Sequence, residues 1–254
     1  MLLVPLVTGA AVAAKTGMDG GALAWFVLAA MSLFWLRTPV ESWLGSSPIK
    51  AQSPAERSYV LRTIVLIGAL SLASIAALLW GGRHRDLLVI GAIAALAFIG
   101  QALVKRLGRK GRMPAQVIGA IGLTSTATGA YYVSTGHIDR TAIALWLANW
   151  LFAANQIHFV QLRIRSSRAT SLEEKLKQGL PFLLSQTALI GAIFAGYSIE
   201  LFPATAAVAF APVLLRGTAW FGRGYQPLDV HKLGFAELRQ AVLFGVLLCA
   251  AFLI

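Results

Sequence analysis

The sequence has one cysteine, Cys249, so neither a disulfide framework nor a cysteine metal site can form within one chain. Acids are scarce too, with ten Asp and Glu in 254 residues. None forms an Asp-x-x-x-Asp pair near an apolar run. The adjacent Glu173 and Glu174 would point about 100° apart on a helix and chelate poorly. The usual carboxylate grip on magnesium and a diphosphate is missing, so no metal site is expected. No Gly-rich phosphate loop, metal-spaced histidine pair or Ser/His/Asp grouping appears, and no cofactor is implied. His84, His137 and His231 stand alone in loops and read as solvated surface. Charge of any sign is low, 13% against about 25% in a soluble domain. No segment alternates apolar and polar residues as a strand does, which excludes a β-barrel.

What remains is apolar. The chain is 57% hydrophobic with a mean hydropathy of +0.72, which places it among integral membrane proteins. A spanning helix needs roughly 20 mostly apolar residues. Nine runs qualify, near 1–14, 20–36, 59–80, 87–104, 114–135, 141–162, 180–199, 203–220 and 233–254, the first and eighth being the weakest. The expected fold is an all-α polytopic bundle of about nine transmembrane helices, one membrane domain over residues 1–254. The opening run lacks a charged region before Lys15, so it reads as a short or incomplete first helix and not as a signal peptide, despite Ala11-Val12-Ala13. Pro181 and Pro203 fall at the starts of runs, where a missing amide proton costs nothing. Pro212 falls inside one and should kink it. The longest loop, Thr38–Ser58, is rich in Ser, Pro and Gly and leaves no room for a soluble domain.

The net charge of +12 would suggest nucleic acid in a soluble protein. Here the bases form short blocks between apolar runs, and topology explains them without a nucleic-acid partner. Segments 37–62, 105–112, 163–177 and 216–239 carry 18 of the 22 Lys and Arg. Positive residues favour the cytoplasmic side, so the N-terminus is expected in the cytoplasm and the C-terminus outside. Within the fifth run, Ala115, Gly119, Gly122, Thr126 and Gly129 make one narrow face of small residues, the kind that lets helix backbones approach in lipid.

The sixth run ends in NQIHFVQLRIRSSR, residues 155–168, with amides, a histidine and arginines but no acid. Asn155, His158, Gln161 and Arg165 fall within about 120° of helix surface. Asn149, Gln156 and Arg163 make a second stripe beside them. Polar groups in hydrocarbon must meet other helices or a wet cavity. Asn149 alone reads as glue between helices. Asn155, His158 and Arg163 read as the lining of a cavity on the cytoplasmic side, with Arg165 and Arg216 at its mouth. Arg37, Arg62, Arg163, Arg165, Arg216 and Arg239 all lie near that side, and together they would frame an anion-attracting entrance. Taken singly, each reads as an anchor at the membrane surface. Glu237, one turn into the last run, is expected to pair with a base inside the bundle.

The opening MLLVPLVTG, the helix ending N-x-x-H-F-V-x-x-R-I-R and the terminal LGFAELRQAVLF resemble the YwiC-like family of bacterial membrane proteins over most of the chain. That family's His-Gly-Ala-Trp stretch, just before the residues matching Met1–Pro5, is absent. The resemblance therefore implies a chain that begins downstream of the family's usual start. It carries no established activity. Nine helices with polar clusters at the cytoplasmic ends of even-numbered ones are also similar to the UbiA superfamily of intramembrane prenyltransferases. In that superfamily an Asn-x-x-x-Asp-x-x-x-Asp motif holds magnesium and an isoprenoid diphosphate. Asn155 matches its Asn, whereas Phe159 and Arg163 occupy the Asp positions, and WLRTPVESWLG lacks the second Asp-rich motif.

The expectation is a protein of the bacterial cytoplasmic (inner) membrane, in contact with the lipid bilayer. It would bind or transport an amphiphilic anion of lipid, quinone or isoprenoid type. A metal-independent relative of the prenyltransferases and a membrane scaffold or subunit are the alternatives, so enzymatic activity stays open.

Overall fold

The computed structural model describes residues 2–44, 53–80, 85–108, 111–167, 169, 171–224 and 228–254. Lys50, Arg109, Lys110 and Arg168, counted above in the basic segments, and His84, read there as solvated surface, lie outside them. Ten helices run through the described residues: α1 (Leu3–Ala13), α2 (Gly20–Trp43), α3 (Pro54–Leu79), α4 (Leu87–Lys105), α5 (Arg112–Thr124), α6 (Thr126–Thr135), α7 (Arg140–Arg165), α8 (Leu172–Ser198), α9 (Ala206–Gly222) and α10 (Val230–Leu253). α2, α3, α4, α7, α8 and α10 are each long and apolar enough to cross a membrane. Large apolar side chains such as Leu66, Leu72, Leu96 and Phe194 lie exposed on them, as a lipid-facing surface requires. The protein is a polytopic membrane bundle of helices.

Five helices start on side-chain caps. Asp19, Ser53, Asp139, Ser171 and Asp229 each accept from the backbone N–H three residues on, at 2.9–3.2 Å. The Asp229 carboxyl is held below its ordinary range, chiefly by the Lys232 N–H it accepts. A lowered carboxyl stabilises the fold above its ordinary pKa, and that contribution is lost as pH falls through the lowered value. Amide exchange in the first turn of α10 should accelerate as pH falls below that value once intrinsic rates are divided out. Asp229→Asn should remove that acid-dependent step, and an unchanged pH profile in the variant would refute the assignment.

Three helices are longer than the apolar runs indicate. α2 continues through Pro39 to Trp43 and α3 begins at Pro54, so most of the described part of the expected loop Thr38–Ser58 is helical. α8 begins at Leu172, ahead of the expected 180, and Pro181 sits inside it. In a membrane protein, neighbouring groups can satisfy the carbonyl a proline frees, so proline need not end a helix. One expected span is instead divided. Between α5 and α6, Thr124, Ser125 and Thr126 each turn the hydroxyl back onto a carbonyl of the preceding turn at 2.7–2.8 Å. Such back-bonding competes with the backbone ladder and bends a helix. Ser125 keeps right-handed helical dihedrals, so the rod bends without reversing.

α7 is the centre of the molecule. More than half of its most apolar window is buried, against a third or less in the other five candidate spans. It packs against α1, α5, α6, α8, α9 and α10. Phe152 of α7 stacks on Phe244 of α10 at 4.0 Å, and Phe210 of α9 meets the same ring edge-on. α3, by contrast, packs mainly on α2. The small-residue face keeps its expected packing role. A Cβ on Gly122 would lie 3.1 Å from the Ala94 carbonyl oxygen of α4, and one on Gly129 would strike the Phe26 ring of α2.

Cross-helix contacts define two ends. Lys15 donates to the Leu253 carbonyl, Thr205 to that of Ala251, and Tyr131 to the Asp139 carboxylate at one end. Arg163, Lys175, Arg216 and Arg223 gather at the other, called here the basic end.

Candidate functional site

The most buried of the six candidate spans, α7, is also the least apolar of them, and its polar side chains divide among different neighbours. Asn149 donates to Thr8 of α1 at 3.0 Å and to its own Leu145 carbonyl, the interhelical glue expected of it. Gln156 donates to the Glu237 main-chain carbonyl of α10 at 2.9 Å. Trp146 and Trp150 donate to carbonyls of α5, which fixes the opposite face. Asn155 is buried, and neither of its amide atoms has a partner among the described residues. α7 and α8 run antiparallel, and Phe159 meets Phe182 at 5.7 Å. One turn further on each helix stand Asn155 and Gln186, two buried amides at one level. Gln186 also lacks partners among the described residues.

Next to this layer, Arg216 of α9 forms an ion pair with Glu237 of α10, the two side chains only 12% and 15% exposed. The guanidinium carbon lies 4.0 Å from the centre of the Phe159 ring. Glu237 thus pairs inside the bundle, as its position in the last run suggested, but with a base on another helix and not with Arg239 nearby in sequence. Arg216 is accordingly not a residue at a cavity mouth. Its Nε and Nη2, and Glu237 Oε2, are buried and have no hydrogen-bond partner among the described residues.

At the tip of the basic end lies a different arrangement. Arg163 and Lys175 both approach the Trp220 ring, at 6.0 and 5.2 Å from its centre. Lys175 is 5% exposed, and among the described residues its ammonium donates to the Arg223 and Gly224 carbonyls alone. Arg163 is within electrostatic reach of Arg223 and Glu237. Arg163, Lys175, Trp220, Ser166 and Ser167 line a crevice of about 10 Å³ that contains no acidic side chain among the described residues. Ser166 Oγ is buried there without a partner among the described residues. A crevice this small holds little more than one oxygen atom. It can therefore seat a terminal oxygen of a larger anion, with two cationic donors and a hydroxyl facing it.

The expected convergence of arginines is only partly realised. Arg163 and Arg216 approach Glu237, but Arg37 and Arg62 sit on α2 and α3, and α3 packs on α2 alone among the main helix contacts. Arg37 is paired with Glu41 at 2.9 Å, and Arg62 is exposed beside Tyr59. Arg165 is exposed as well. His158 is half-buried and makes no hydrogen bond or ion pair among the described residues. The expected stripe spans too wide an arc: Asn155 shares a face with Phe159, while Gln161 turns toward Gln116 of α5. Lys175, Ser166, Trp220 and Gln186 escaped the sequence reading. The signal for Lys175 was present in Ser171-Leu172-Glu173-Glu174, whose serine and second glutamate have capping-box spacing and mark a helix start well ahead of the apolar run.

Among the described residues no group of three His, Cys, Asp or Glu side chains could hold a metal ion. No curated protein matches the chain. No solved structure does either. The family of YwiC-like proteins matches residues 1–132, from α1 through most of α6. That match covers just over half of the 254 residues. It leaves the basic crevice of α7, α8 and α9 outside the matched part. By that match the chain belongs to the YwiC-like protein family.

Proposed function

We propose that this membrane protein binds an amphiphilic anion whose charged head, a phosphate or carboxylate, is held at the basic end between α7, α8 and α9. One observation carries the reading: Lys175 is buried beside Arg163 with no carboxylate pairing its ammonium among the described residues. A buried charge is costly unless paired, and two like charges against one indole ring repel. An anion seated between them would relieve both costs. The position at the end of membrane-spanning helices favours a ligand whose remaining part is apolar.

The test is binding of phosphatidic acid, with inorganic phosphate as a second probe, to detergent-purified protein. Each charge-assisted contact is worth about 1.5–3 kcal/mol, so Arg163→Ala and Lys175→Met should each weaken binding by about 10- to 150-fold. Arg163→Lys should recover only part, because the ammonium lacks the planar fork of donors. Unchanged affinity in all three variants, with folding intact, would overturn the reading.

The same reading places the basic end in the cytoplasm of a bacterial cell, following the positive-inside rule. Single cysteines replacing Lys177 and Arg140, in a Cys249→Ser background, test it with an impermeant maleimide. The cysteine at 140 should label in intact cells and that at 177 only after permeabilisation. The reverse pattern would invert the topology.

A further inference from the structure

A long apolar cavity lies away from the basic crevice, between α2, α4 and α5, with α3 closing part of one side. It measures about 600 Å³ and is lined by Phe26, Leu33, Leu87, Ala95, Phe98 and similar apolar groups. Along α2 it runs from Phe26 to Arg37, and along α4 from Leu87 to Gln101. At about 1.5 Å per residue those stretches are about 16 and 21 Å long. The cavity is an elongated apolar slot, long enough along both helices to take a hydrocarbon chain.

Its polar groups are unevenly placed. Ser125 and Thr126 also line it, but their hydroxyl hydrogens are donated to the Gly122 and Leu123 carbonyls of their own helix. Arg37 and Gln101 stand together at one end. Arg37 is the slot's one charged lining residue among the described residues; its Nε donates to Glu41 at 2.9 Å, and its guanidinium lies 5.5 Å from the Phe98 ring centre. Its other guanidinium donors make no hydrogen bond among the described residues. Gln101 occupies space that Gly119 leaves open: a Cβ there would come 2.4 Å from its Oε1. A long apolar slot with unengaged donors at one end has the polarity of one molecule class.

We infer that this slot binds one alkyl or isoprenoid chain of an anionic membrane amphiphile, with the headgroup beside Arg37 and Gln101. This site is independent of the crevice at Arg163 and Lys175. It also lies wholly within residues 2–126, inside the part of the chain that matches the family.

Photocrosslinking tests it on the full-length protein in nanodiscs. Two probes carry a mid-chain diazirine: a free fatty acid and a phosphatidylglycerol. Both should label α2 between residues 26 and 37 and α4 between 87 and 101 in excess over the exposed face of α8 around Phe194. Labelling by one probe alone supports the slot and identifies whether a free acid or a phospholipid is its source. Gly91 lines the slot, and a Cβ there meets nothing within 4 Å, so Gly91→Leu should fold normally and fill it. That variant should cut slot labelling about tenfold and leave α8 labelling unchanged. Arg37→Gln should reduce the preference for phosphatidylglycerol over phosphatidylcholine by about tenfold, the loss expected for one charge-assisted contact. Labelling equal to that of α8 and insensitive to Gly91→Leu would mean ordinary contact with bulk lipid and would overturn the inference. An unchanged headgroup preference in Arg37→Gln would overturn the role of Arg37.

Discussion

Glu237→Ala is expected to destabilise the folded protein by about 3–5 kcal/mol, because it leaves the Arg216 guanidinium buried without its counter-charge. The pair sits where α9 and α10 meet, with the guanidinium over Phe159 of α7, so three helices share the loss. Thermal unfolding in detergent, followed through the seven tryptophans, should show a large drop in Tm for the single variant. The double variant Arg216→Met, Glu237→Leu should recover most of it, since apolar replacement of a buried pair is often neutral or better. A mild effect of Glu237→Ala would mean that water screens the pair. If the double variant instead stayed as unstable as the single one, the loss would lie in packing and not in charge.

The second large effect is steric. At Gly9 an added Cβ would lie 2.1 Å from the Ala127 carbonyl oxygen, well inside contact distance. That oxygen belongs to the backbone of α6, so no side-chain rotation relieves the clash. Gly9→Ala should separate α1 from α6 and cost about 3 kcal/mol or more, at or beyond the top of the usual overpacking range. Gly68→Ala in α3 is the matched control. A Cβ there meets nothing within 4 Å, and replacing a helical glycine should stabilise by about 1 kcal/mol. If both variants behaved alike, close approach at Gly9 would not be what joins the two helices.

The membrane-spanning character was legible because it depends on run length and apolar content, which any single segment carries. Helix ends were less so. Charge was read as loop around Lys175, and Pro181 as the start of a run, yet α8 begins at Leu172 and runs through both. A first turn outside the apolar core can be charged, and proline loses its penalty where neighbours satisfy the freed carbonyl. The site was legible only as an inventory. Asn155, Arg163 and Glu237 stood out as polar groups in apolar surroundings, and each occupies a distinct environment at or near the basic end. That Arg216 would meet Glu237, while Arg37 and Arg62 remain on other helices, depends on how the helices are arranged in the bundle. Hydropathy along one helix carries no information about that arrangement.

The contacts of α1 have a consequence in time. This helix packs on α6, α7 and α10, and Lys15 just beyond it donates to a carbonyl 238 residues away at the end of α10. During synthesis α1 enters the membrane before the other described helices, and α10, one of its principal partners, emerges after them. Until then its surface around Val4 and Thr8, which meets Gly245 of α10, faces lipid or transient neighbours, exposed to mispairing in the way long-range contacts commonly are. The contact between α1 and α10 therefore closes only after the helices between them have been made. Ribosome-bound chains lacking α10 should leave α1 open to crosslinking by insertion factors long after α2 and α3 have paired.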